Sequence, residues 1–178
     1  MVTEKRELRI HIRQLKQQLP DGLRLEKSEK IRSLLESDPD FIKAETVLIY
    51  WSMPDEVHTH DFINKWWKSK IILLPSVQGT VLKLKQFTGL DSLQKGELMG
   101  ILEPVGPEFS TTEPIDLIVV PGIAFDKNNF RMGRGRGFYD RLLQNKPSKK
   151  IGICFDFQFF ESIPKETHDI PMDAVIWA

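Results

Sequence analysis

Apolar residues recur at helical spacing through Leu8, Ile12, Leu15 and Leu19. That rhythm predicts an amphipathic helix over residues 4–19, with Thr3 as its N-cap and Pro20-Asp21-Gly22 as its stop. A second helical pattern carries Ile31, Leu34 and Leu35. The rhythm then changes. Residues 46–51, Thr-Val-Leu-Ile-Tyr-Trp, form an unbroken β-branched and aromatic run of the kind buried on both faces of a sheet. Residues 61–68 return to helix, with Phe62, Ile63, Trp66 and Trp67 on one face, and residues 70–74 return to strand ahead of Pro75.

Residues 81–85 alternate apolar and polar, which predicts a half-exposed hairpin or edge strand. Glycine, proline and acidic residues dominate residues 89–114, after which residues 115–120, 150–155 and 173–177 give three more apolar strands. No repeat or low-complexity tract interrupts them. Short apolar strands alternating with helices predict an α/β fold, a mostly parallel sheet covered on both faces. Ligands of such sheets bind beyond the carboxyl ends of the strands. The loops to inspect are therefore residues 51–59, the turn after Leu74, residues 121–139 and residues 156–158.

Composition narrows the function. A chain of 178 residues, 40% hydrophobic, is long enough for one good core, and a single domain over residues 1–178 is expected. Lys plus Arg total 25 and Asp plus Glu total 25, so no overall field draws the chain to nucleic acid or an anionic membrane. An anion site must be local. Cys154 is the one cysteine and lies in the apolar run 151–155, where a packed core thiol is the simple reading. The amino terminus shows no apolar signal region and no stretch reaches membrane length, so residence in a reducing cytoplasm is expected.

The densest local signal is Arg131-Met132-Gly133-Arg134-Gly135-Arg136-Gly137-Phe138-Tyr139-Asp140, running into a helix through Arg141, Leu142 and Leu143. Glycines let backbone N–H groups form an anion nest, a following helix N-terminus adds partial positive charge, and arginines add forked donors. The spacing is neither that of a Walker A loop nor that of a dinucleotide fold, so the motif by itself gives only an anion site. An RGG-like RNA-binding tail is the competing reading, but such tails are repeated and this segment is single, between strand and helix.

Two further groups stand out. Lys5, Arg9 and Arg13 recur one turn apart on the first helix and border its apolar stripe, although a solvated basic face is the commoner fate of such a row. Residues 51–59, Trp-Ser-Met-Pro-Asp-Glu-Val-His-Thr, leave a strand end with an aromatic, a thioether and two acids, which suits a heterocycle bearing N–H donors. Asp55 or Thr59 could instead only cap the next helix, and His58 with His60 is a weaker metal pair. Near the end, Gln158 and His168-Asp169 offer a carboxylate that could join Asp140 as a hard oxygen ligand for magnesium.

Together these segments resemble the 5-formyltetrahydrofolate cyclo-ligase (methenyltetrahydrofolate synthetase) family, nearly end to end. The resemblance is carried by Lys5-Arg6-Glu7-Leu8-Arg9, residues 53–59, Pro121-Gly122-Ile123-Ala124-Phe125-Asp126 leading into residues 131–141, and residues 152–158 and 164–173. Two positions depart from the family pattern. Asn129 stands where glycine is usual, and asparagine tolerates left-handed geometry; Phe138 stands where tyrosine is usual, keeping a ring but losing a hydroxyl.

What the resemblance implies is a three-layer α/β/α, Rossmann-like fold and ATP-dependent closure of 5-formyltetrahydrofolate to 5,10-methenyltetrahydrofolate. By position it implies that Lys5, Arg6, Glu7, Leu8 and Arg9, with Arg131, Met132, Gly133, Arg134, Gly135, Arg136, Gly137, Phe138 and Tyr139, hold ATP. Trp51, Glu56, Arg134, Gly135, Arg136, Gly137 and Phe138 would meet the folate, with or without a polyglutamate tail. Asp140 and Asp169 would hold Mg2+, and Arg134 and Tyr139 would be catalytic. The expected partner is this small molecule, with no nucleic acid, no membrane and a monomeric state. Competing readings are sugar-phosphate isomerisation or acyl-CoA transfer on a similar scaffold, neither needing ATP, and a nucleic-acid-binding module using Arg131, Arg134 and Arg136.

Overall fold

A computed structural model of the protein describes residues 2–96, 102–110, 112–144, 146–166 and 169–178; His168 lies outside them. It opens with helices α1 (Val2–Gln18) and α2 (Asp21–Ser37). The first helix already contains Thr3, which therefore is not its N-cap. Pro20-Asp21-Gly22 does more than stop it: Pro20 is the N-cap position of α2, and Asp21 and Gly22 belong to its first turn. Proline lacks the N–H that a first helical turn leaves unused, so one residue can end a helix and begin another. In α2, Ser28, Ile31 and Leu35 are buried, whereas Leu34 is 50% exposed and does not share their face.

The chain continues through α3 (Pro39–Lys43), β1 (Thr46–Leu48), α4 (His60–Trp66), β2 (Ile71–Gln78) and β3 (Val81–Gln86). Helix α3 escaped the pattern reading because it is short, yet its signal is present. Asp38 caps it, accepting from the Asp40 and Phe41 amides at 2.9 and 3.3 Å, and Pro39 follows at the first position. Strand β1 is shorter than the apolar run 46–51 suggested; Ile49 still donates to Leu73, after which the chain leaves the sheet.

Strand β2 runs through Pro75 rather than ending before it. Ile71 donates to Glu45 and Leu73 accepts from Ile49, so odd-numbered residues address β1. Pro75 falls beyond the end of β1, and its missing N–H breaks no ladder bond. The β2–β3 hairpin turns at Gly79, whose φ of 59° favours glycine. The remaining elements are β4 (Leu93–Lys95), β5 (Leu102–Pro104), β6 (Glu108–Phe109), β7 (Leu117–Pro121), β8 (Ala124–Asp126), β9 (Arg131–Met132), α5 (Phe138–Leu143), β10 (Lys149–Cys154), β11 (Phe159–Phe160) and β12 (Ala174–Trp177).

The main sheet has the order β12-β10-β7-β1-β2-β3-β6, parallel from β12 to β2 and antiparallel at β3 and β6. Alternate residues bury opposite faces, as the pleat requires. Val47, Ile49, Ile72, Leu117 and Ile151 meet Ile31, Phe41 and Phe62 of the helices. Leu48, Leu73, Ile118, Val120 and Cys154 meet Phe125 and Leu143 on the other side. From β1 the chain moves one way to β2 and later the other way to β7. The order therefore reverses between β1 and β7, where a crevice opens beyond their carboxyl ends.

Cys154 is a buried core thiol, and burial pushes its ionisation well above the usual thiol range. Phe125 is fully buried and sits where Gly122 and Gly152 leave space: a Cβ on either would lie 2.5 or 2.3 Å from its ring. Gly152→Ala is accordingly expected to destabilise the fold by about 1–3 kcal/mol, because neither ring nor strand can yield freely. Urea denaturation would check this, and an unchanged midpoint would contradict it.

Candidate active site

The crevice at the reversal is walled on one side by the loop leaving β1. Ser52 and Thr59 close its base reciprocally, each amide donating to the other's hydroxyl at 3.1 Å, while the Thr59 hydroxyl donates to the Tyr50 carbonyl at 2.7 Å. Thr59 occupies the N-cap position of α4, but its side chain is spent on this closure, not on a cap. Above it Trp51 stacks on His60, centroids 3.9 Å apart, and His60 Nε2 bonds the Ser52 carbonyl at 3.0 Å. Burial and the neighbouring His58 hold His60 below the usual histidine range. His58 lies against His60, ring centroids 4.5 Å apart, and 3.7 Å from Asp61, but among the described residues no group of three or more His, Cys, Asp or Glu side chains is placed to hold a metal ion.

The facing wall is the cation–glycine segment. Its approach is locked by Asp126, a buried carboxylate whose Oδ1 accepts from the Asn128 and Phe130 amides at 3.0 Å and whose Oδ2 accepts from Ile163 at 3.3 Å. Asn129 makes this turn at φ 63°, so it does adopt the left-handed geometry expected of it. Gln158 supports the same segment, donating to the Gly122 and Ile123 carbonyls at 3.1 and 2.9 Å. Gly135 and Gly137 have φ of 98° and 67°, conformations that need glycine.

The arginines part company. Arg131 points inward: its side chain is 5% exposed, donates to the Pro121 carbonyl at 3.3 Å and pairs through Nη2 with Asp140 Oδ1. Arg134 reaches across the crevice, its Nη2 lying 3.2 Å from Asp55 Oδ1 and 3.0 Å from Glu56 Oε1. Glu56 is itself oriented by the Met53 amide at 3.0 Å. Arg136 is exposed. Arg141 binds the Thr80 and Arg136 carbonyls, at 2.7 and 3.0 Å, and not Asp140. The Tyr139 hydroxyl is buried without a hydrogen-bond partner among the described residues, and burial, then the Glu56 charge, pushes its ionisation up.

Helix α1 roofs the crevice, so its basic row is not simply solvated. Arg9 Nε donates to the Gly133 carbonyl at 3.0 Å. Lys5 Nζ lies 2.9 Å from Glu166 and 3.6 Å from Asp169. Leu8 packs on the cluster of Ala124, Met132 and Ile163, while Arg6 and Glu7 are exposed. Arg13 lines the crevice, as does a residue the pattern reading missed, Lys16. Its side chain is 4% exposed and its Nζ is 3.3 Å from Asp55 Oδ2. The available signal was a lysine one turn beyond Ile12, on the apolar stripe itself.

Burial lowers the Lys16 ammonium below the usual lysine range, although Asp55 and Glu56 oppose the shift. For Asp55 burial works upward, but Lys16 and Arg134 outweigh it and hold the carboxyl below its ordinary value. Burial works against the Arg134 cation, but Glu56 and Asp55 raise its pKa above the ordinary value. The result is a cavity of about 1030 Å³, lined by Trp51, Met53, Glu56, Arg13, Lys16 and Arg134 among others. It offers an aromatic platform, an oriented carboxylate and a guanidinium continuous with a glycine-rich loop. Asp140 and Asp169 are each beside a different cation, Arg131 and Lys5.

Comparison with known proteins agrees with this picture. The sequence profile of the 5-formyltetrahydrofolate cyclo-ligase family matches residues 1–178. The 5-formyltetrahydrofolate cyclo-ligase of Escherichia coli strain K12 is 29% identical, over 93% of this chain and 95% of that protein. The mouse protein of the same name is 29% identical, over 97% of this chain and 93% of its own length. The solved structure of Aquifex aeolicus 5,10-methenyltetrahydrofolate synthetase superposes with a TM-score of 0.87 and 36% identity, covering 97% of this chain and 89% of that one. The Mycoplasma pneumoniae synthetase, 23% identical with a TM-score of 0.77, shares the fold. No described helix is long and apolar enough to cross a membrane. A match along its whole length, joined to a shared α/β architecture, places this chain in the 5-formyltetrahydrofolate cyclo-ligase family.

Proposed function

We propose that this chain acts as a single-domain, monomeric enzyme in the cytoplasm. It converts 5-formyltetrahydrofolate, with or without a polyglutamate tail, to 5,10-methenyltetrahydrofolate, consuming ATP and releasing ADP and phosphate. The observation that carries this reading is Arg134. It extends from the glycine-rich loop to Glu56 and Asp55, so a phosphate-binding segment and a heterocycle-binding carboxylate lie within one side chain of each other.

The formamide oxygen is a poor leaving group. It attacks the γ-phosphorus, an O–P bond forms, and the bond to ADP breaks. N10 then adds to the activated carbon and loses its proton, and phosphate departs with the electrons of the C–O bond. No protein nucleophile is required, and Cys154 is buried in the core. Catalysis consists of positioning and charge neutralisation. Glu56 accepts N–H donors of the pterin edge, and Trp51 supplies a flat apolar wall. The loop from Arg131 through Tyr139 and the row from Lys5 through Arg9 hold the nucleotide, Arg134 meets the transferring phosphoryl group, and the buried Tyr139 hydroxyl, within range of the Glu56 charge, is the second catalytic candidate.

Mg2+ at phosphate sites is held by one or two carboxylates, with phosphates and water completing its shell. Asp140, whose side chain is 42% exposed although paired with Arg131, would be one such carboxylate, and Asp169 beside Lys5 the other. The ion would supply positive charge to the phosphate oxygens.

The decisive experiment follows methenyltetrahydrofolate formation from 5-formyltetrahydrofolate with and without ATP, alongside ADP release. Product should appear only with nucleotide and in equal amount to ADP. Full-rate product without ATP would overturn the reading. A reaction on a sugar phosphate or an acyl-CoA, with none on the folate, would favour the other chemistries of this scaffold.

A further inference from the structure

Lys16 occupies a position where a hydrophobic residue would be ordinary, on the buried stripe of α1 one turn beyond Ile12. Taking an ammonium out of water is costly, and a methionine of similar length would fill the same space without that cost. The charge at this position therefore calls for a reason beyond packing. Its surroundings supply one: Lys16 is among the residues lining the cavity, and its Nζ lies 3.3 Å from Asp55 Oδ2.

From there a single line of alternating charge crosses the site. Asp55 accepts from Arg134 at 3.2 and 3.4 Å, and Arg134 donates on to Glu56 at 3.0 Å. Arg134 thus faces two carboxylates with one positive charge. Left so, the group would be net negative and would repel the phosphate oxygens Arg134 is read as meeting. Lys16 takes a share of Asp55 and returns the four groups to neutrality. Were Glu56 to turn its acceptors to a folate ring, Arg134 would keep one carboxylate, Asp55, that Lys16 already engages at 3.3 Å, and its other donors would be free for a phosphoryl group.

We propose that Lys16 is a positioning residue for the ring-closing reaction, acting through Asp55 to keep the Arg134 guanidinium available at the reacting phosphoryl group. This rests on the function proposed above. It concerns residues that the resemblance to the family left without a role, since neither Lys16 nor Asp55 was assigned one.

A double-mutant cycle tests it. Turnover and KM for both substrates would be measured for wild type, Lys16→Met, Asp55→Asn and the double variant, with thermal melts of each. Lys16→Met should lower kcat about tenfold or more, with a smaller change in the KM for ATP, because Asp55 then bears wholly on Arg134. Adding Asp55→Asn should bring kcat back to that of Asp55→Asn alone, since nothing is left to balance. Lys16→Arg, which keeps the charge, should stay within a few-fold of wild type.

If the two single effects multiply in the double variant, or if Lys16→Met lowers the melting temperature while its folded fraction turns over normally, Lys16 is structural and the proposal fails. Should Lys16→Met not fold, the comparison passes to Lys16→Arg and the double variant; a Lys16→Arg protein as impaired as the double variant overturns the proposal. A wild-type protein that forms no product with ATP removes the proposed function itself and this inference with it. That outcome is distinct from any pattern among the variants.

Discussion

Arg134→Met is expected to lower kcat by about 10²–10³-fold while shifting the melting temperature by only a few degrees. The side chain is 41% exposed and bridges two loops, so its loss creates no cavity in the core. What it removes is a full charge whose present partners, Asp55 and Glu56, mark where the guanidinium sits before substrate arrives. Electrostatic stabilisation of a transferring phosphoryl group is made mainly in the transition state, so kcat should fall far more than the KM for ATP rises. Steady-state kinetics with both substrates varied would check this. A variant with normal kcat and only a raised KM would return Arg134 to a ground-state binding role.

Asp140→Asn is expected to have two separable effects. The first is on stability: Arg131 is 5% exposed and Asp140 is its carboxylate partner, so removing the anion leaves a largely buried cation. Breaking a fully buried pair costs about 3–5 kcal/mol. Here asparagine still offers an acceptor and Asp140 is 42% exposed, so a loss nearer 1–3 kcal/mol is expected, read from urea denaturation. Nothing in the spacing of Arg131 and Asp140 along the chain announces this pairing. The second effect is on turnover, which should fall on the order of 10²-fold, with half-maximal activation moved to higher magnesium. Magnesium titrations of both proteins, well below their melting temperatures, separate the two effects. Curves that superimpose after scaling would make Asp140 a structural partner of Arg131 and nothing more.

Much of the fold was legible beforehand because it depends on short-range regularities. The period of Leu8, Ile12 and Leu15 marked α1, and the apolar runs around residues 46, 117 and 151 marked the central strands. Where boundaries were missed, a local pattern was overruled by a neighbour: β1 stops at Leu48 although its apolar run continues, and β2 passes Pro75 because no strand pairs that side. Leu34 shows the limit of spacing, being apolar and in helical register with Ile31 yet facing outward.

The site divides in the same way. Residue types and backbone demands were readable from the chain: glycines at positions 135 and 137 that adopt positive φ, an asparagine at 129 able to do so, and acids following an aromatic strand end. Which charge meets which was decided only by the tertiary structure. Lys5 meets Glu166, 161 residues away, and Lys16 meets Asp55, 39 residues away. Three arginines that look equivalent in Arg131-Met132-Gly133-Arg134-Gly135-Arg136 take an inward strut, a bridge across the crevice and an exposed position. The physical reason is range. Hydrophobic periodicity and backbone torsion are properties of adjacent residues and survive in the one-dimensional record. The partner of a charge depends on burial and separations of a few ångströms, which exist only once the sheet has brought distant loops to one edge.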